Sequence, residues 1–385
     1  MTDPLGLYLH FPFCLSKCAY CDFASLPLAD AGGPEFARRY LDALLIEIDR
    51  RAATPEFRDL AADTVFFGGG TPTVLPAAWL AEALQRLRWR FAIPSDAEIT
   101  VEANPGTVDA VALAELRGAG FNRLSLGVQS FSDDSLRLLG RVHTADEARQ
   151  ALAAARAAGF DDLSLDLIYG LPGQTVEEWQ EDLAAALEIR PEHLSAYGLS
   201  LEEGTPLARA VAADRLPAPD EEGYAAMFTA AHAQLTAAGY EHYEISNYAL
   251  PGRQCRHNRK YWAGDEYLGL GCSAHSHRWG RRWNNLAAPP VYTKWLARGA
   301  WPVARAEALS PRARAGELMM LGLRTAAGVS EDEVERRTGL RPGVAFADAI
   351  AGLRARGWLG LDAGRFVIPS EMWLISNEIL AEFVA

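Results

Sequence analysis

Along the first half of the chain, short apolar runs alternate with longer stretches in which apolar residues recur at helical spacing. The first run, Tyr8 to Phe13, leads into a cysteine-bearing loop. A helix is predicted from about Pro34 to Ala53, with Phe36, Tyr40, Leu44 and Ile48 on one face. Thr64-Val65-Phe66-Phe67 is stopped by Gly68-Gly69-Gly70-Thr71-Pro72, a strand followed by a sharp turn. A helix near Pro76 to Trp89, a strand Glu98 to Glu102, a helix from about Val108 to Gly118 and a strand Arg123 to Gln129 come next. Helical segments on either side of Gly140 lead to the strand Asp162 to Gly170. A helix from Val176 to Ile189 then precedes the strand His193 to Ser200.

Six apolar strands separated by helix-length crossovers predict a parallel α/β sheet, either an incomplete barrel or an open doubly wound one. Their C-terminal ends run into the cysteine loop, the glycine run, Glu102, Gln129, Asp166 and Ser200. Any one of these residues also serves as a turn cap or ion-pair partner. Their recurrence at equivalent ends is how (β/α) barrels assemble a site.

The pattern changes at Pro217 to Asp220, a proline-rich and acidic stretch that predicts a boundary. After a helix from Glu221 to Ala238, the segment Tyr240 to Trp283 is dense in Tyr, Trp, His, Arg and Asn. From about Pro311 a helix to Arg324, helices Ser330 to Thr338 and Gly343 to Arg356, a hairpin over Leu359 to Leu361 and Phe366 to Ile368, and a last helix from Glu371 predict a winged-helix-like module. Three regions follow, 1–215, 216–305 and 306–385.

Composition narrows the class. The 385 residues are 49% hydrophobic and 23% charged, as in ordinary globular proteins. No apolar run reaches the roughly 18 residues that span a bilayer, and no basic stretch followed by a hydrophobic one opens the chain. A cytoplasmic protein without a transmembrane segment is expected. The formal net charge of −13 argues against nucleic-acid binding, which draws on cationic side chains, so the winged-helix-like module is expected to be structural or to dock a partner.

Three of the five cysteines, Cys14, Cys18 and Cys21, follow a C-x3-C-x2-C spacing. Thiolates on one tight loop can ligate three irons of a 4Fe-4S cube, leaving the fourth iron open to the amino and carboxylate groups of a small molecule. A zinc site would normally close four ligands, and small buried cysteines are the other alternative. Carboxylates and amides suit ribose hydroxyls and an ammonium, and an arginine suits a carboxylate; Glu102, Asp166, Gln129 and Arg141 meet those needs. The glycine run offers backbone groups to a ligand. Tyr20 either packs on the cluster or belongs to the core, and His10 either faces the ligand or makes a structural hydrogen bond.

Taken together, Tyr8-Leu9-His10-Phe11-Pro12-Phe13-Cys14 through Cys21, Gly68 to Thr73, Gly127-Val128-Gln129-Ser130, Asp166 to Pro172 and His257-Asn258-x-x-Tyr261-Trp262 resemble the oxygen-independent coproporphyrinogen III oxidase family of radical S-adenosylmethionine (SAM) proteins. The resemblance implies an incomplete (β/α)6 radical SAM barrel, then an α+β segment, then a small winged-helix-like C-terminal domain. It assigns the cluster to Cys14, Cys18 and Cys21, and SAM to Gly69, Gly70, Thr71, Glu102, Gln129, Arg141 and Asp166. Tyr8 takes another cofactor position, and Ser200 maps through a poorer local match. The true oxidases carry a further cysteine where this sequence has Phe23, and a longer segment ahead of the first strand. Phe23 and the His-Asn-x-x-Tyr-Trp motif resemble the other branch, which implies a haem chaperone serving a haem-requiring acceptor protein, as monomer or homodimer. Oxidative decarboxylation of coproporphyrinogen III is the alternative. His257 is the implied haem ligand, Cys255 a second candidate, and Arg253, Arg256 and Arg259 candidates for the propionates. Cys272 reads as a small buried residue.

Overall fold

The computed structural model describes residues 4–218 and 220–384; Pro219, inside the predicted boundary stretch, lies outside them. The six strands form as β1 (Leu5–Phe11), β2 (Ala62–Gly69), β3 (Glu98–Ala103), β4 (Arg123–Gln129), β5 (Leu163–Tyr169) and β6 (His193–Gly198). They lie side by side in that order, each neighbouring pair parallel.

Residues along these strands alternate in kind, as a pleat with two different faces requires. Leu7, Val65, Val101, Leu124, Leu165 and Leu194 point outward and are buried in one core with helix residues such as Tyr40, Leu84, Leu116 and Trp179. The intervening positions are largely polar: Thr100 and Glu102, Arg123 and Ser125, Ser164 and Asp166, His193 and Ser195. Register pairs Glu102 with Ser125 and Asp166 with Ser195, so the polar positions share the inner face. The crossover helices are capped in the expected way; Thr175 and Glu178 form a capping box at the start of the helix Val176–Ile189.

The segment after residue 216 joins this sheet at both edges. β7 (Glu241–Glu244) and β8 (Asn247–Ala249) extend it beyond β6 through antiparallel pairing of β8. β9 (Tyr267–Leu270) pairs parallel with β1, and β10 (His275–Arg278), β11 (Arg281–Asn285) and β12 (Val303–Ala308) continue outward antiparallel. Among the described residues twelve strands thus form one sheet, in the order β12-β11-β10-β9-β1-β2-β3-β4-β5-β6-β8-β7.

The C-terminal module has helices Pro311–Gly322, Glu331–Thr338 and Ala347–Ala355 and a small sheet of β13 (Val329–Ser330), β14 (Gly360–Asp362) and β15 (Arg365–Val367), with β15 central. It is tied to the preceding segment where Arg314 Nη2 donates to the Gly264 carbonyl (2.6 Å) and Arg337 Nη1 to the Ala263 carbonyl (2.8 Å). No helix among the described residues is long and apolar enough to cross a membrane.

Candidate functional site at the strand ends

β1 delivers the cysteine loop to the C-terminal edge of the sheet, where Phe13–Cys14 pairs with Leu26–Pro27. Lys17 Nζ donates to the carbonyls of Phe23 and Ser25 (both 3.1 Å), closing the loop on itself. Cys14, Cys18 and Cys21 are free and half-buried. They open on a cavity of about 120 Å3 that is also lined by Tyr20, Gly69, Gly70, Thr71, Glu102, Gln129, Arg141 and Asp166. Residues spread over more than 150 positions of sequence therefore meet where the predicted site required.

The amides of the glycine run tie the cavity wall together. Gly69 N–H donates to Glu102 Oε2 (3.2 Å), Gly70 N–H to the Phe11 carbonyl (2.8 Å) and Thr71 N–H to the Phe13 carbonyl (2.7 Å). Its amides are spent inside the protein. A Cβ on Gly70 would stand 2.6 Å from the Phe13 carbonyl oxygen, so glycine is required here for the cysteine loop to lie against β2.

Arg141 organises the opposite wall. Its Nη2 donates to Asn104 Oδ1 (2.5 Å) and to the Gly127 carbonyl (2.6 Å), while Nη1 lies 3.4 Å from Cys18 Sγ. Its Nε is buried without a partner. Asn104 in turn donates to Thr71 Oγ1 (2.8 Å), which makes it a member of the site that the sequence reading missed; the signal was its place just past β3, one residue after Ala103. Gln129 holds a left-handed backbone (φ 71°) at the end of β4, a conformation a non-glycine residue keeps only when its surroundings enforce it. The adjoining turn is held by Asp182, which accepts from Ser130 Oγ (2.7 Å) and Phe131 N–H (2.6 Å).

Burial is the first cause of every shift in acidity here. It pushes the Glu102 carboxyl up to about 8, helped by the Asp166 charge and opposed by the Gly69 amide. Asp166 is also raised by burial, against the pull of the Ser195 and Ser125 hydroxyls. The Cys14 thiol is pushed up by burial, while hydrogen bonds from Ser25 and Thr71 pull it back.

Glu102, Ser125 and Asp166 also roof a second chamber of about 210 Å3 inside the barrel. Tyr8 lines this chamber rather than the cluster cavity. Its hydroxyl donates to His10 Nδ1 (3.2 Å), and His10 Nε2 donates to the Ala24 carbonyl (2.9 Å), so His10 is a strut under the cysteine loop. The chamber floor is the helix Arg256–Ala263. Its first two amides, of Arg256 and His257, donate to Glu98 (2.8 and 2.9 Å), a carboxylate at a helix N-terminus where the dipole favours it.

Two of the expected residues lie away from the cluster cavity. Ser200 does not line either cavity: β6 ends at Gly198, the Leu199 amide turns to the Tyr169 carbonyl (2.8 Å), and exposed Ser200 donates to Glu202 (2.6 Å). His257 is buried in the wall of the second chamber, with both ring nitrogens engaged. Its Nδ1 meets Thr64 Oγ1 at 2.8 Å, its Nε2 meets Tyr261 OH at 2.9 Å, and its ring stacks on Phe66 with centroids 5.2 Å apart. Burial lowers its pKa to about 3. Of the neighbouring candidates, Cys255 is buried with its thiol 3.5 Å from Glu98, Arg253 faces Asp162 at 3.8 Å, and Arg256 pairs with Asp63 at 3.3 Å. Cys272 is buried and its thiol accepts from Tyr40 OH at 3.5 Å.

Residues 8–186 match the Radical SAM superfamily and residues 309–375 the HemN C-terminal domain. The heme chaperone HemW of Mycobacterium tuberculosis is 37% identical over 378 residues, 98% of this chain and 94% of that protein. The chain belongs to the HemW family. The heme chaperone HemW of Escherichia coli is 44% identical over 273 residues, 71% of this chain and 70% of that one. Among solved structures, the radical SAM enzyme coproporphyrinogen III oxidase (HemN) of Escherichia coli aligns with a TM-score of 0.86 at 27% identity, covering 100% of this chain and 91% of that one.

Membership of the HemW family, within the radical SAM superfamily, implies a 4Fe-4S cluster and SAM. The residues present fit both: three free thiols at one cavity, an orphaned guanidinium nitrogen on Arg141, and acidic groups held inside the same wall. Among the described residues no three His, Cys, Asp or Glu side chains converge on a single ion, whereas the thiolates of a cube each take a different iron.

Proposed function

We propose that the chain is a haem chaperone, which binds haem and passes it to a haem-requiring acceptor protein, and that it carries its cluster and SAM at the strand ends. The observation that carries this reading is the likeness over nearly the whole chain to proteins named heme chaperones. The space at the strand ends supports it over oxidative decarboxylation of coproporphyrinogen III, the reading that the HemN likeness raises. The two inner cavities, about 120 and 210 Å3, each fall below the roughly 300–1,000 Å3 of ordinary ligand sites, and a tetrapyrrole would have to share them with SAM. Phe23, 70% exposed at the rim, supports it further, since the oxidase branch places a cysteine there.

In this reading Cys14, Cys18 and Cys21 hold the cluster, which supplies one-electron chemistry and an open iron for SAM. Arg141, fixed by Asn104 and the Gly127 carbonyl, is aimed by those bonds and keeps Nε free for a carboxylate. Burial and the Asp166 charge raise the Glu102 carboxyl to about 8, and an entering ammonium would favour its carboxylate form. Gly69, Gly70, Thr71, Gln129 and Asp166 complete the wall.

The test is an anaerobic comparison of two ligands on protein with an intact cluster. Haem should be retained stoichiometrically, and incubation with SAM, a reductant and coproporphyrinogen should yield no protoporphyrinogen. Failure to retain haem, or formation of protoporphyrinogen, rejects the proposal.

A further inference from the structure

The helix Arg256–Ala263 has two working faces. One turns His257 and Tyr261 into the inner chamber; the other, with residues 322–337 and Arg365 of the C-terminal module, bounds a cavity of about 630 Å3. That is about three times the inner chamber, and well inside the range of about 300–1,000 Å3 that holds organic ligands.

Its charge is unusual for this chain. Five cationic side chains, Arg256, Arg259, Lys260, Arg337 and Arg365, face three carboxylates, Asp63, Asp265 and Glu333, leaving an excess of two positive charges on a protein of formal charge −13. Most of these cations are engaged: Arg256 and Lys260 with Asp63, Arg337 with Asp265 and Glu333, Arg365 with backbone carbonyls. Arg259 is exposed, and among the described residues its side chain makes no hydrogen bond or ion pair. Beside it the wall turns apolar with Leu318, Val329 and Val334. Trp262 lines the same cavity, with the Arg324 guanidinium 5.0 Å over its ring and its indole N–H buried without a partner.

We infer that this outer cavity is the haem site, an inference that rests on the haem-chaperone reading above. A flat apolar macrocycle bearing two carboxylates matches both the apolar wall and the two surplus charges, with Arg259 the free partner for a propionate. Among the described residues no His, Cys or Met lines the cavity, so the iron receives none of the usual strong axial ligands. Tyr243 lines the cavity, but its hydroxyl is tied at 2.8 Å to Nε2 of His193, a residue of the inner chamber. Haem is held here by its ring and propionates, which suits a cargo that must leave.

Three variants of the full chain test this with haem and with the dimethyl ester of iron-free protoporphyrin IX, titrated anaerobically. Arg259→Glu should weaken haem binding about tenfold or more by setting like charge against a propionate, and should leave binding of the uncharged ester unchanged. Ala326→Trp, at an exposed cavity position, should weaken both ligands by filling the space. Arg354→Glu, an equal change of net charge at an exposed site outside the cavity, should alter neither. Equal haem affinity in wild type, Arg259→Glu and Ala326→Trp overturns the assignment of this cavity while leaving the chaperone reading intact. An Arg354→Glu loss as large as that of Arg259→Glu also overturns it. Absence of haem binding in the wild type removes the chaperone reading itself, and the site with it.

Discussion

At the scale of single residues, the site is a compromise between folding and binding, and Glu102 shows it most clearly. Burial and the nearby Asp166 raise its carboxyl to about 8, against roughly 4.3 when unfolded. Between those values the folded protein holds a proton that the unfolded chain has released. Stability therefore falls as pH rises through the window and is fully present only below it. Glu102→Gln removes the charge and keeps an acceptor for the Gly69 amide. Its melting temperature without cofactors should exceed that of the wild type at pH 9, with the gap closing toward pH 5; a constant gap across that range would contradict the assignment. Gly70 is the second such residue. Because a Cβ there meets backbone oxygens of Phe13 and Phe11 at 2.6 and 3.0 Å, Gly70→Ala should lower stability by about 1–3 kcal/mol in urea unfolding and reduce the iron retained on reconstitution. Full iron content with unchanged stability would mean that the cysteine loop moves aside freely.

At the scale of elements, the helix Arg256–Ala263 is a plug whose position is set by distant partners. Cys255, the residue that precedes it, gives no side-chain cap, and Glu98 at the start of β3 takes the role instead. Glu98→Ala should cost about 1–3 kcal/mol by leaving the buried His257 amide and the half-buried Arg256 amide without an acceptor, seen as faster hydrogen exchange confined to residues 256–263. Uniform exchange across the sheet would show that the helix is not held separately. His257→Ala should likewise lower stability while leaving the Soret position of bound haem unchanged, since the imidazole is committed to Thr64 and Tyr261. The same partners explain what could be read in the sequence. Arg123–Gln129 and Val176–Ile189 form over the residues their periodicity predicts, because strand alternation, helical spacing and caps are local. The polar inner face was equally legible in the alternation of Thr100, Ser125, Ser164 and Ser195, and reading only the strand ends overlooked it. The orientation of His257 was not legible, because it is fixed by residues 193 and 159 positions away. Nor was the pairing of β9 with β1, which joins Tyr8 to Gly269 with no signal in either segment alone.

At the scale of the molecule, these distant pairings make the barrel dependent on the second half of the chain. β1 is an interior strand only because β9 covers its outer edge, and β6 only because β8 covers its own. Glu47, on the helix Gly33–Ala53, is fully buried and accepts from the Gly271 amide (2.9 Å), Asn285 Nδ2 (2.8 Å) and Tyr292 OH (2.7 Å), all of them supplied after residue 216. A chain cut after residue 215 would keep the cysteines, the glycine run, Glu102, Gln129, Arg141 and Asp166, yet leave two sheet edges open, the Glu47 carboxylate stranded and the inner chamber without a floor. Open edges invite pairing with other chains, and the apolar surface around Glu47, which keeps only Arg51 at 3.6 Å, would be bared to water. The fragment 1–215 should therefore be insoluble or lack the near-ultraviolet dichroism of packed aromatics, and should recover both when refolded together with 216–385. A soluble, monomeric 1–215 that reconstitutes its cluster unaided would show instead that the radical SAM half is an autonomous domain and that the later strands only decorate it.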